Sequence, residues 1–218
     1  MMTLFEYLSP GERLGELLFG LIMTLTFTLG AGVAVGASDG PSSSLLFATL
    51  GCNVAWGIID GALLLLGRMF DRGRLARLGD AIARAGDEHS ALTVVAQELD
   101  DVLVAVTSER QRLALYRDVV AHVRTGRAPT PRLTRDDLGA ALAVFVLVFG
   151  ATLPAALPHL LIQDVWIAQR ASNVLLIGVL FFVGYRWAQY TSFRPLAAAF
   201  VVVGLGVVLV SIAIALGG

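Results

Sequence analysis

Asp60 is the residue whose position most suggests chemistry, because it lies inside a long apolar stretch, Leu45 to Gly67. A carboxylate in hydrocarbon costs several kcal/mol unless it meets a cavity, a partner or an ion. Asn53, Trp56 and Gly57 precede it at helical spacing, so these residues share one helix face with it. We predict that Asp60 binds a cation or a proton. The alternative is a protonated Asp60 that is hydrogen-bonded to a neighbouring helix.

A second stripe of small and polar residues runs through the preceding apolar stretch, Leu14 to Val35. It comprises Glu16, Gly20, Met23, Phe27 and Gly30, with Thr24 and Thr28 one step round the helix. Threonine hydroxyls often bond a preceding carbonyl and methionine often fills a core, so packing is the alternative role. We predict that a substrate path lies between the two stripes, with Glu16, Met23 and Thr24 along it.

The charged central region holds oxygen and imidazole groups of the kind that divalent cations bind. They are Glu88, His89, Glu98, Asp100, Asp101 and Glu109. A solvated helix face would carry the same residues, so both interpretations stay open. Asp60 and Met23 together with four of this group form our set of candidate metal ligands: Glu88, His89, Glu98 and Asp101.

These residues belong to a strongly apolar chain. Of its 218 residues 56% are hydrophobic and 15% are charged, with a mean hydropathy of +0.76, which is more apolar than an ordinary soluble domain. A spanning helix needs roughly 20 apolar residues. The qualifying stretches are Leu14 to Val35, Leu45 to Gly67, Leu138 to Ile162, Ser172 to Gln189 and Leu196 to Leu216. We therefore predict an all-α integral membrane protein with five transmembrane helices.

Arginine supplies every basic residue, and its distribution predicts the orientation. Twelve of the sixteen arginines lie between Arg68 and Arg135, and only Arg170 falls on the opposite side of the predicted membrane. The positive-inside rule then places the amino terminus and the central region in the cytoplasm, and five spans leave the carboxyl terminus outside.

The predicted organisation has three parts: residues 1–71 with the first two spans, a cytoplasmic insert at 72–134, and the last three spans at 135–218. In the insert, apolar residues recur at helical spacing. They predict two or three amphipathic helices, broken near Gly86 and Thr107.

Several function classes have no support in the sequence. It contains no GxSxG, HExxH, Walker, CxxC or dinucleotide-binding motif, so we predict that the protein is not an enzyme. It also has no basic surface interleaved with aromatic residues, so we predict no nucleic-acid partner. Cys52 is the only cysteine, which excludes an intrachain disulfide.

Three stretches share a pattern with one family. The stretch from Glu16 to Gly32 is similar to an E-x-x-x-G-x-x-D-G-L-T opening, and Gly150 to Pro158 to an exit with one glycine and two prolines. The tail has a short basic turn, Arg194-Pro195, before a glycine-bearing last helix. In this order the features resemble the vacuolar iron transporter family, five-span dimeric carriers that exchange ferrous iron or manganese for protons.

The resemblance implies a homodimer in the lipid bilayer with iron or manganese as its substrate. Asp60 falls on the family's glutamate in span two, Trp56 on its methionine, and Met23 on its aspartate in span one. We expect Asp60 to be the ligand or proton acceptor, Asn53 an orienting amide, and Met23 a soft ligand.

The rival interpretation is a non-transporting membrane scaffold, or an accessory subunit of a larger membrane complex, that keeps the fold but lacks the metal site. A membrane enzyme ranks third, because no motif supports it.

Overall fold

The computed structural model describes residues 4–34, 42–126 and 132–216, and its regular structure there is entirely helical. The helices are α1 Pro10–Ala34, α2 Ser42–Arg84, α3 Glu88–Leu103, α4 Glu109–Thr125, α5 Arg135–Gly150, α6 Leu153–Leu161, α7 Val165–Trp187 and α8 Pro195–Ala215. Short 3-10 turns at Leu4–Tyr7 and Ala188–Tyr190 complete it. The predicted all-α class is confirmed.

Four helical stretches in the described part of the chain are long and apolar enough to cross a membrane. They are Thr49–Arg84, Arg135–Leu161, Trp166–Tyr190 and Pro195–Ala213. The chain is therefore a multi-pass helical membrane protein. The predicted first span, Leu14 to Val35, ends outside the described residues, and the fifth crossing stays a prediction.

The chain divides into two compact units. The first, which we call the membrane unit, comprises Met1–Leu64 and Arg135–Gly218. The second, which we call the hairpin unit, is Leu65–Thr134.

In the membrane unit, α7 packs on α1, α6 and α8, and α1 also packs on α5 and α8. The core between them is aliphatic and includes Leu21, Leu25, Leu176, Leu180 and Val210. Small residues allow these helices to approach closely, as is typical where lipid surrounds them. A Cβ added at Gly20 would lie 2.8 Å from Ala151 Cβ and 2.9 Å from Val148 O, so α1 meets the backbone of α5 there.

The predicted third span is not one continuous helix, because α5 ends at Gly150 and α6 begins at Leu153. Pro154 has no N–H to continue the hydrogen-bond ladder. At the break, the Thr152 N–H donates to Phe149 O at 3.0 Å, three residues back, instead of to Val148 O. Val148 O is thereby left for a donor from another helix.

Helix α2 also differs from the prediction, since it continues beyond Gly67 to Arg84 instead of ending with the second span. No proline occurs between residues 42 and 84, and the isolated glycines in this stretch cost a helix only about 1 kcal/mol each. The apolar and charged halves therefore form one 43-residue helix.

In the hairpin unit, α3 and α4 pack together over Ile82, Val95 and Tyr116. Asp87 caps α3 by accepting a hydrogen bond from Ser90 N at 2.7 Å, and its bonds with the Ser90 N–H and hydroxyl hold the Asp87 pKa below its usual value. The predicted breaks near Gly86 and Thr107 fall between helices.

Candidate functional site

One face of α1 carries a row of polar and small residues, which we call the threonine face: Glu16, Gly20, Thr24 and Thr28. They follow one another at four-residue intervals, and all except the half-buried Glu16 are buried. Met23, which we predicted to lie on the same stripe as Glu16 and Gly20, is half-buried instead. The threonines that were predicted to lie one step round the helix thus face the interior.

Asn53 joins three helices beside this face. Its side chain is 0% exposed, and Nδ2 donates to Thr24 Oγ1 at 2.9 Å, Val148 O at 3.3 Å and Gly20 O at 3.4 Å. The Thr24 hydroxyl in turn donates to Gly20 O at 2.7 Å. Backbone carbonyls only accept hydrogen bonds, so the amide nitrogen must point at them. Asn53 Oδ1 therefore points elsewhere, and it has no hydrogen-bond partner among the described residues.

Asp60 lies two helical turns from Asn53 along α2 and is half-exposed. Its Oδ2 is buried and has no hydrogen-bond partner within the part of the chain that the structure describes. Glu16 on the threonine face lies near enough for the two carboxylates to interact electrostatically. Two carboxylates in apolar surroundings repel each other unless a proton or a cation neutralises them. Two of the predicted site residues, Asp60 and Glu16, are therefore close enough to interact electrostatically.

Trp56 and Gly57, the other predicted site residues of α2, contact the neighbouring helices α1 and α5. The Trp56 ring is 37% exposed and meets the Phe19 ring edge-on, with 5.8 Å between centroids. A Cβ added at Gly57 would lie 3.3 Å from Phe145 Cα, and one at Gly61 would lie 3.0 Å from Ala141 O. These two glycines set the distance between α2 and α5, as small residues spaced four apart commonly do in membrane helices.

A second polar cluster lies further along the threonine face, at the start of α7. The Thr28 hydroxyl donates to Asn173 Oδ1 at 2.8 Å, and Gln169 Nε2 donates to Thr28 O. Ser172 Oγ donates to Ala155 O of α6 at 3.1 Å. These α7 residues were not predicted from the sequence. The signal that could have indicated them was the weak hydropathy at the start of the fourth predicted span, where Ser172 and Asn173 lie.

The candidate ligands of the hairpin unit do not converge. Glu98 pairs with Arg74, and Glu88 pairs with Arg117 at 3.4 Å, whereas His89 and Asp101 are exposed. Across residues 4–34, 42–126 and 132–216, no three His, Cys, Asp or Glu side chains are placed to hold one metal ion. A metal site in the hairpin unit stays a prediction from sequence.

The α3–α4 surface also has a shallow cleft of about 240 Å³ next to Asp100, Arg112 and Tyr116. The Tyr116 hydroxyl donates to Asp100 Oδ1 at 2.6 Å, and Arg112 Nε lies 3.5 Å from the same atom. Desolvation raises the Tyr116 pKa, and the bond to Asp100 raises it further. Asp100 therefore serves the packing of the two helices.

The fold and the site define a class: a multi-pass helical membrane protein with a row of buried polar groups between its helices. Scanned against protein-family models and compared with curated proteins, the sequence has no match in either. The resemblance to vacuolar iron transporters therefore stays a prediction that rests on the sequence motifs.

The Asn53 contacts predict energetic coupling between α1 and α2. In a double-mutant cycle of Asn53→Ala and Thr24→Val, we expect a coupling energy of about 0.5 to 1.5 kcal/mol, the range for hydrogen bonds between membrane helices. Unfolding in mixed micelles measures it. Ser211→Ala is the control. The Ser211 hydroxyl donates to Val207 O of its own helix, so its loss should be near neutral. Additive effects of the two substitutions would contradict the assigned contact.

Proposed function

We propose that the chain is a transporter-like membrane protein that binds a divalent metal cation, iron or manganese, between α1 and α2 and exchanges it for protons. The observation that carries the proposal is the buried Oδ2 of Asp60, which has no hydrogen-bond partner among the described residues, with Glu16 near enough to interact with this carboxylate electrostatically. One divalent cation or two protons neutralise two carboxylates equally. The same pair can therefore alternate between a metal-bound and a proton-bound state without leaving charge in the apolar region.

The chemistry of the surrounding oxygens supports this substrate class. Carboxylate, amide and water oxygens suit manganese, and iron accepts them as well. Asn53 Oδ1, which has no partner among the residues described, lies seven residues from Asp60, about 10 Å along the helix. At this distance Asn53 Oδ1 cannot bind the same ion as Asp60 at the same time. It is therefore the next group that a cation leaving Asp60 would meet. Met23 remains the proposed soft ligand in this region.

The finer topology belongs to the same proposal. Five spans place the amino terminus and the hairpin unit in the cytoplasm and the carboxyl terminus outside, as the arginine distribution predicts. A homodimer is proposed from the family resemblance.

The rival function is a non-transporting scaffold or accessory subunit. One observation favours it: within the described residues, no third acidic, histidine or cysteine side chain joins Glu16 and Asp60. A scaffold needs the helix contacts of Asn53 but does not need the acidic pair.

Metal binding tests the proposed function. We expect purified wild-type protein to bind Mn²⁺, as measured by electron paramagnetic resonance, and to bind it more weakly at lower pH because protons compete for the pair. Asp60→Asn and Glu16→Gln should each weaken binding by about tenfold or more, the effect of about 1.4 kcal/mol.

The matched control is Asp118→Asn, which removes an exposed carboxylate of α4 and should leave the affinity unchanged. If Asp60→Asn binds Mn²⁺ with wild-type affinity and pH response, the carrier function is wrong and the scaffold is favoured.

Reporter tags test the topology. A tag after the last residue should be reached by impermeant reagents from outside the cell, and one inserted near Gly86 should be protected, because three of the five proposed crossings separate Gly86 from the carboxyl terminus. Both tags on one side of the membrane would refute the five-span arrangement.

A further inference from the structure

Gln169 carries a buried oxygen that the contacts described so far leave without a role. The residue is 8% exposed, and its Nε2 donates to the backbone oxygen of Thr28. Because that carbonyl can only accept, the amide nitrogen is held against α1 and Oε1 must point away from it. Oε1 has no hydrogen-bond partner in the described ranges of the chain. A buried acceptor in this state calls for a donor or a cation that the described protein atoms do not supply.

The groups next to Gln169 are oxygen-rich and neutral. Thr28 Oγ1 donates to Asn173 Oδ1 at 2.8 Å, which leaves lone pairs on both oxygens. Arg170, the neighbouring residue on α7, is exposed rather than buried with them. The cluster therefore offers amide and hydroxyl oxygens without a carboxylate.

This cluster continues the series of oxygens that begins at the acidic pair. Thr28 is twelve residues from Glu16 along the row of α1 residues spaced four apart, a rise of about 18 Å. Thr24 lies between them, in contact with Asn53, whose Oδ1 is also without a partner among the described residues. Along the threonine face, the charged pair is thus followed by the neutral amide of Asn53 and then by the neutral amide of Gln169.

We propose that Gln169 Oε1, Asn173 Oδ1 and the Thr28 hydroxyl form a second, neutral binding station for the divalent cation that Glu16 and Asp60 bind. This inference rests on the proposed function. Transport requires that each site bind strongly enough to admit the ion and weakly enough to release it. Two carboxylates alone would hold a divalent cation tightly, whereas neutral oxygens bind it weakly and let it leave. The station therefore determines the rate of transport and not the affinity of the acidic pair.

Two measurements on the full chain separate these roles: Mn²⁺ binding at equilibrium, and Mn²⁺ uptake into proteoliposomes. Gln169→Met keeps the length of the side chain and removes the oxygen. We expect it to lower the uptake rate by about tenfold or more while the Mn²⁺ affinity stays within about twofold of wild type. Gln169→Glu puts a charge at the station and should add a second bound Mn²⁺ per chain while it also slows uptake.

Ser172→Ala is the matched control, because Ser172 is a buried neighbour on α7 whose hydroxyl already bonds Ala155 O. It should leave both uptake and binding within about twofold. Equal losses in Gln169→Met and Ser172→Ala would overturn the inference in favour of a purely structural cluster.

The outcomes also distinguish this inference from the function on which it rests. Normal Mn²⁺ binding with unchanged uptake in Gln169→Met overturns the second station alone. A Gln169→Glu protein that still binds only the wild-type amount of Mn²⁺ does the same, and it decides the question if Gln169→Met does not fold. A wild-type protein that fails to bind Mn²⁺ overturns the proposed function and the station together.

Discussion

The hydrogen bonds of the Asn53 amide are the interaction on which the membrane unit depends. Lipid is as apolar as the side chains it surrounds, so helices in a bilayer are held by close packing and polar contacts rather than by the hydrophobic effect. Asn53 Nδ2 reaches groups of α1 and α5 at the same time. This amide, the Trp56–Phe19 ring contact and the close approach of Gly57 and Gly61 to α5 together hold α2 beside α1.

Two local features of the sequence make that contact available. Gly20 lets the backbone of α1 approach α5, because even a methyl group there would collide with Val148 and Ala151. The break between α5 and α6 then withdraws the usual intrahelical donor from Val148 O. Broken helices are tolerated in membranes where protein groups satisfy the freed backbone. Here the Asn53 amide nitrogen does so, and the Asn53 Oδ1 atom has no partner among the described residues.

The sequence was sufficient to predict the helical membrane class, which depends on the length of the apolar stretches, and to place Asn53 and Asp60 on one face of α2, which depends on helical periodicity. It was not sufficient to choose between Met23 and Thr24 on α1. Adjacent residues differ by only 100° around a helix, and the neighbouring helices decide which one is buried.

The α7 cluster was not predictable by the same reasoning, because Thr28 and Gln169 are separated by 141 residues and meet only after the fold has formed. The central acids illustrate a second limit of sequence composition. Their composition suggested metal ligands, but Glu88 and Glu98 form ion pairs with nearby arginines. Composition gives no information about pairing, which needs the relative positions of side chains.

The central claim is that Glu16 and Asp60 together bind one divalent cation. Anomalous diffraction from crystals soaked in Mn²⁺ tests it most directly, since the signal locates manganese independently of the protein density. We predict an anomalous peak within about 2.5 Å of a carboxylate oxygen of both Glu16 and Asp60, the range for hard-cation oxygen ligands. Manganese bound only to acids of the hairpin unit, with none at Glu16 and Asp60, would contradict the account.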